Sequence, residues 1–179
     1  MTPTIHRTRR RLVHVNARAN FTALARDEFE GYASLFGVPD SSGDVVAPGA
    51  FAQSLRTRGV ARVRLLYQHF AHEPIGVWQE IREDSTGLYV KGRLLTDLER
   101  GRDVLALIRE GALDGLSIGF RTRRARRDTA TGLRTLLEIE LWEISIVTFP
   151  LLAGSLVTAV GEKSAVADEI RKAAEVFRI

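Results

Sequence analysis

The stretch from Leu133 to Phe149 limits the fold more than any other part of the chain, because it alternates as one long strand that Pro150 ends. A chain with such a strand must build a sheet around it. By the two-residue period, Leu137, Ile139, Leu141, Glu143, Ser145 and Val147 share a face, which sets Glu143 in an otherwise apolar row. A carboxylate in that position is costly unless something pairs with it. Glu138 and Glu140 fall on the opposite face and read as solvated.

The segments before the long strand supply its partners. A first strand begins at Glu28, carries Phe29, Gly31, Ala33 and Phe36, and ends at Gly37. A loop of turn formers, Pro39-Asp40-Ser41-Ser42-Gly43-Asp44, precedes a short helix opened by Pro48-Gly49-Ala50-Phe51 and running to about Arg58. Arg62 to His69 alternates, with Val63, Leu65, Tyr67 and His69 on one face, so His69 is expected at the end of a buried strand face. Gly76 to Arg82 and Leu88 to Leu95 form a hairpin around Asp84-Ser85-Thr86-Gly87. Leu98 to Glu110 has helical spacing, a strand containing Ser117 runs to about Arg124, and Asp128 to Gly132 make the turn into the long strand. Many strands with a few helices, joined mostly by hairpins, imply a mainly β protein with flanking helices (α+β), its sheet an antiparallel barrel closed or nearly so.

Both ends of the chain read differently from this body. Residues 1–27 open on His6-Arg7-Thr8-Arg9-Arg10-Arg11 without sustained periodicity, as a basic N-terminal arm; residues 28–160 form the barrel domain. In residues 161–179, Ser164 caps a final helix whose Val166, Ile170, Ala173, Ala174 and Phe177 make an apolar stripe, an interaction element that could dock a second copy in a homodimer.

At 179 residues, 45% hydrophobic and 27% charged, the chain has ordinary globular composition and is long enough to bury a core. It has no cysteine, which removes disulfides, thiolate zinc sites and cysteine nucleophiles together, so chemistry must come from Ser, His and carboxylates. No apolar run approaches a membrane span and no signal peptide is visible, so neither a membrane nor export is expected. Of the 26 basic residues all but Lys91, Lys163 and Lys172 are arginine. The run Arg121-Thr122-Arg123-Arg124-Ala125-Arg126-Arg127 lacks interleaved aromatics and reads as a solvated hairpin end, not a nucleic-acid surface.

Ser117 lies between Gly115 and Gly119, and small neighbours leave its hydroxyl open to approach. Gly-x-Ser-x-Gly is the formal pattern of a hydrolase nucleophile elbow, but here a helix precedes the serine and a strand follows it, the reverse of that scaffold. A serine nucleophile here needs a base from elsewhere, and His69 with Glu143 supplies a base and an acceptor to orient it. The bland alternatives are a satisfied strand-end histidine, a serine selected for close packing and a glutamate paired with an arginine. His69-Phe70-Ala71-His72-Glu73 also raises a metal site, yet it lacks the His-Glu-x-x-His order and only His6 and His14 remain as further imidazoles, so no metal or cofactor is expected.

Four separated segments carry a resemblance: Gly43-Asp44-Val45-Val46 with Pro48-Gly49-Ala50-Phe51; Leu66-Tyr67-Gln68-His69 with Pro74-Ile75-Gly76; Gly115 to Phe120; and Leu141 to Pro150. In this order they resemble the prohead (head maturation) proteases of tailed phages, including versions in gene transfer agents, over about Glu28 to Val160. The resemblance implies a serine endopeptidase related in fold to herpesvirus assemblins, with His69 as base and Ser117 as nucleophile. It would work inside an immature capsid in the bacterial host cytoplasm, cutting major capsid protein and scaffold segments and cleaving itself. The alternative is a non-catalytic assembly or scaffolding protein on the same barrel. In assemblins the third member is a second histidine; the matching place here holds Glu143. Phe70 stands where many family members have an acidic residue, and Leu151-Leu152-Ala153 offers none of the arginines of the assemblin oxyanion site.

Overall fold

The computed structural model describes residues 24–162. The expected N-terminal arm therefore lies almost wholly outside the described residues, and the expected C-terminal helix entirely so. Eight strands and two α-helices follow in the order β1 (Glu28–Leu35), β2 (Asp44–Val46), α1 (Ala52–Arg58), β3 (Arg64–Tyr67), β4 (Pro74–Glu83), β5 (Gly87–Leu94), α2 (Glu99–Arg109), β6 (Gly115–Arg127), β7 (Arg134–Val147) and β8 (Val157–Val160). Among the described residues no helix is long and apolar enough to cross a membrane.

The long alternating segment is the spine. Strand β7 pairs antiparallel with β6 along one edge, from Gly115↔Val147 to Arg127↔Arg134. Its other edge takes β2 at Asp44↔Arg134 to Val46↔Leu136, then β3 at Arg64↔Glu143 to Tyr67↔Ile146. Both of these pairings are parallel, so the sheet is mixed at its spine and not uniformly antiparallel as expected. From β3 the sheet continues antiparallel through β4, β5, β1 and β8. It curls until its ends approach: Gly115 bridges Leu156, the Leu116 N–H bonds the Ser155 carbonyl at 2.8 Å and the Val157 N–H bonds the Asp114 carbonyl at 2.8 Å. The result is a curled, nearly closed barrel.

Local chemistry fixes the turns. The Asp84 carboxylate accepts the N–H groups of Thr86 and Gly87, which turns β4 into β5, and Asp40 Oδ1 accepts the N–H groups of Ser42 and Asp44 in the loop before β2. Strand β2, only three residues long, is then tied to the spine by a bidentate pair from Arg134 to Asp44 at 2.7 and 2.5 Å. Phe29, Leu65, Ile75, Leu88, Leu94, Leu116, Leu136, Ile139, Leu141, Ile144 and Ile146 fill the interior. Helix α2 closes one side of it with Val104, Leu105 and Ile108. Burying these aliphatic side chains contributes on the order of 1.5–3 kcal/mol each before chain entropy is set against it.

Two expectations fail in detail. Strand β3 stops at Tyr67 and buries consecutive residues, Leu65 and Leu66, so His69 does not end an alternating strand face. Along β7 the buried member near its start is Leu136, not Leu137, because the ladder shifts register three times.

Candidate active site

Strand β7 brings three distant segments to one place by standing between β6 and β3. Ser117 lies opposite Ser145 on the β6 side, and Ser145 lies opposite Leu66 on the β3 side. Directly opposed residues point to the same face, so Ser117 and Ser145 share a face, as do Gly119 and Glu143 two rungs on. The alternate rungs, Leu116 with Ile146 and Ile118 with Ile144, present the other face, toward the core.

The next rung pairs Phe120 with Leu141, which leaves Trp142 as an unpaired bulge residue, 47% exposed. The bulge inverts the alternation. Leu141 stays on the core face with Ile144 and Ile146, and Glu143 faces the opposite way, beside Ser117 and Ser145. Glu143 is thus not the odd member of the Leu137, Ile139 and Leu141 row, as the simple two-residue period implied; it lies in a small polar row of its own. Gly119 makes room for it, since a Cβ there would stand 2.0 Å from Glu143 Oε1. Gly115 is needed for a different reason, because its Cβ would meet the Val147 carbonyl oxygen at 2.5 Å.

His69 reaches this row from a turn. Gln68 and His69 have φ of 51° and 61°, left-handed values that side chains with a Cβ adopt at a cost of order 1–3 kcal/mol each, and the Phe70 N–H closes the turn on the Tyr67 carbonyl at 2.9 Å. Contacts to β7 hold this conformation. The Gln68 N–H bonds the Ile146 carbonyl at 3.0 Å, the Gln68 side-chain amide donates to Thr148 Oγ1 at 2.7 Å, and the His69 N–H donates to Ser145 Oγ at 3.0 Å.

The imidazole lies between the other two side chains. Its Nε2 is 3.0 Å from Ser117 Oγ and its Nδ1 is 2.6 Å from Glu143 Oε1. Ser117 is 5% exposed, the Glu143 side chain 14% and the His69 side chain 43%, so the hydroxyl is recessed and the ring forms the accessible lip. The Glu143 carboxylate holds the His69 pKa above its ordinary value, and partial burial opposes that shift. With a carboxylate on Nδ1, the ring's Nδ1–H tautomer is favoured and Nε2 is left to accept the serine proton. That arrangement can generate a serine alkoxide and return the proton to a leaving amine.

Glu140 takes Arg58 at 2.8 Å and also pairs with Arg123, and Glu138 lies 3.9 Å from Arg124, so both are ion-pair partners and not merely solvated. These pairs also occupy part of the basic run at the end of β6. Phe70 turns outward and stacks on His72, and Glu73 pairs with Arg100 at 3.0 Å. Sequence reasoning gave no role to Ser145, which is fully buried and donates to Glu143 Oε2 at 2.7 Å. Its signal was available: a small polar residue two places after the glutamate, on the same face.

A profile of the family described as caudovirus prohead serine protease matches residues 14–169. The chain is 37% identical over 124 residues to the prohead protease of enterobacteria phage HK97, covering 68% of this chain and 55% of that protein. It spans about half the length of the curated relatives it matches. Its fold is similar to that of the bacteriophage T4 capsid assembly protease, with TM-score 0.55, 17% identity and coverage of 67% of this chain and 80% of that one. It is also similar to the protease of KSHV, with TM-score 0.54, 14% identity and coverage of 83% and 76%.

Proposed function

Because the chain belongs to the caudovirus prohead serine protease family, we propose that it is a serine endopeptidase acting through Ser117, His69 and Glu143 on capsid or scaffold segments inside an immature capsid. The observation that carries this reading is the His69 ring, which reaches from the turn after β3 to bond the Ser117 hydroxyl of β6 at 3.0 Å and the Glu143 carboxylate of β7 at 2.6 Å. The turn that presents His69 holds two residues at left-handed φ, a costly conformation of the kind that clusters at functional sites.

In this mechanism Ser117 Oγ attacks the scissile carbonyl carbon while His69 Nε2 takes its proton. Glu143 fixes the ring and stabilises the imidazolium, which then protonates the departing amine; water repeats the cycle on the acyl-enzyme. Substrate can approach because β6 is paired only with β7 beyond Leu116 among the described residues, which leaves backbone groups beside Ser117 open to an extended peptide. Membership in the family supports substrates drawn from the capsid protein and the scaffold and a location within the procapsid; cleavage of this chain itself and a bacterial host belong to the same proposal.

The test is Ser117→Ala in cells that also make the capsid protein and scaffold. We expect a folded protein and uncleaved partners, and a peptidyl phosphonate should label the unaltered chain at Ser117 alone. Normal processing by the variant would remove the nucleophile assignment. A phosphonate-inert but folded natural chain would favour a non-catalytic assembly role.

A further inference from the structure

We propose that Ser145 is a positioning residue that locks the Glu143 carboxylate to the strained His69 turn, and that its hydroxyl is required for turnover without touching substrate. The proposal rests on the reading of Ser117, His69 and Glu143 as the catalytic set. Ser145 is fully buried, and its single hydroxyl makes two bonds of opposite sense. It accepts the backbone N–H of His69 at 3.0 Å and donates its own proton to Glu143 Oε2 at 2.7 Å.

Each bond has a separate consequence. The bond from the His69 backbone holds a residue at φ 61°, a conformation the chain leaves unless something ties it down. The bond to Oε2 leaves Oε1 as the oxygen that meets His69 Nδ1, so the carboxylate cannot rotate away from the ring without breaking a charge-assisted bond. Because one hydroxyl makes both bonds, backbone and carboxylate are positioned against each other, and the imidazole sits between them. Ser145 also lies directly opposite Ser117 on the β6–β7 ladder, so any adjustment of the clamp is referenced to the strand that carries the nucleophile.

The test separates this role from simple packing. In the 179-residue chain carrying Ser117→Ala, which on the proposed reading prevents self-cleavage, proton NMR should show a far-downfield Nδ1–H signal from His69. Adding Ser145→Ala should shift that signal upfield or remove it by exchange. In the otherwise unaltered chain, Ser145→Ala should lower kcat about 10- to 100-fold with KM within about twofold, the loss expected for one hydrogen bond to a charged group. Ser145→Cys keeps the volume and donates weakly, so it should share the defect, and it carries the same measurements if the alanine variant does not unfold cooperatively. A folded Ser145 variant with an unchanged Nδ1–H signal and unchanged kcat overturns the proposal, as does a loss confined to KM. The NMR arm needs no turnover, so a failure of the peptidase reading itself would appear separately, as normal processing by Ser117→Ala.

Discussion

His69 stays protonated to higher pH than an ordinary histidine because the Glu143 carboxylate bonds its Nδ1, with burial working against the shift. Two pH dependences of opposite sign follow. The raised pKa contributes stability that is fully present below the ordinary value of about 6.5 and is lost as pH rises through the folded value. On the proposed reading His69 is the general base and must be neutral to act, so the acid limb of kcat/KM should lie above about 6.5, and activity should appear over the same window in which that stability is lost. Glu143→Gln should move the limb down toward the ordinary value and cut turnover by about 10²- to 10⁴-fold with little change in thermal unfolding. Glu140→Gln and Glu138→Gln disturb only partly exposed, solvent-screened arginine pairs and should leave turnover within about twofold. A pH–rate profile of Glu143→Gln that matches the natural enzyme, or a severe loss from Glu140→Gln, would remove Glu143 from the site.

At the scale of the element, the β6–β7 ladder decides which side chains meet, and its two site glycines predict different failures. In Gly119→Ala the new Cβ would lie 2.0 Å from Glu143 Oε1 and 2.7 Å from its Cδ, so the carboxylate must leave the ring while both backbones stay in place. Turnover should fall about 10²-fold, the scale of a displacement near 1 Å, with cooperative unfolding kept. In Gly115→Ala the obstacle is the Val147 backbone carbonyl, so the ladder itself must yield and thermal stability should fall instead. Kinetics and melting curves of the two variants together check this, and natural turnover in Gly119→Ala would contradict it. The same ladder explains what the sequence could disclose. The long strand, the β4–β5 hairpin, α2 and the strand after Ser117 were legible from period and turn residues. Strand β2 was not, because three residues in a parallel pairing carry no alternation. The turn at Gln68 and His69 was hidden because left-handed backbone is normally signalled by glycine or asparagine. Glu143 was picked out by an alternation that the Trp142 bulge breaks, and its neighbours on that face are Ser117 and Ser145, not Ile139 and Leu141.

In the whole molecule, the described body is tied off where it begins and ends. The Glu28 N–H bonds the Ala25 carbonyl and the Gly161 N–H bonds the Glu28 carbonyl, both within 2.8 to 2.9 Å. Arg109 at the end of α2 donates to the carbonyl of Arg26 at 2.6 Å and to that of Gly161 at 3.0 and 3.1 Å. The Glu28 carboxylate, held down to about 2 by the Ala25 N–H first and by Gln79 and Lys91, adds a side-chain tie at the same place. Helix α2 and strands β1 and β8 are thus joined to one another at this end of the described residues. The segment after it reads in sequence as an amphipathic interaction element, with Val166, Ile170, Ala173 and Phe177 on one stripe. A chain ending at Glu162 should therefore unfold cooperatively within a few degrees of the 179-residue chain and cut a peptide substrate with unchanged kcat/KM, while losing self-association or incorporation into capsids. Sedimentation, melting curves and a peptide assay on the same two proteins separate these outcomes. Loss of cooperative unfolding on truncation would place the last 17 residues in the core instead.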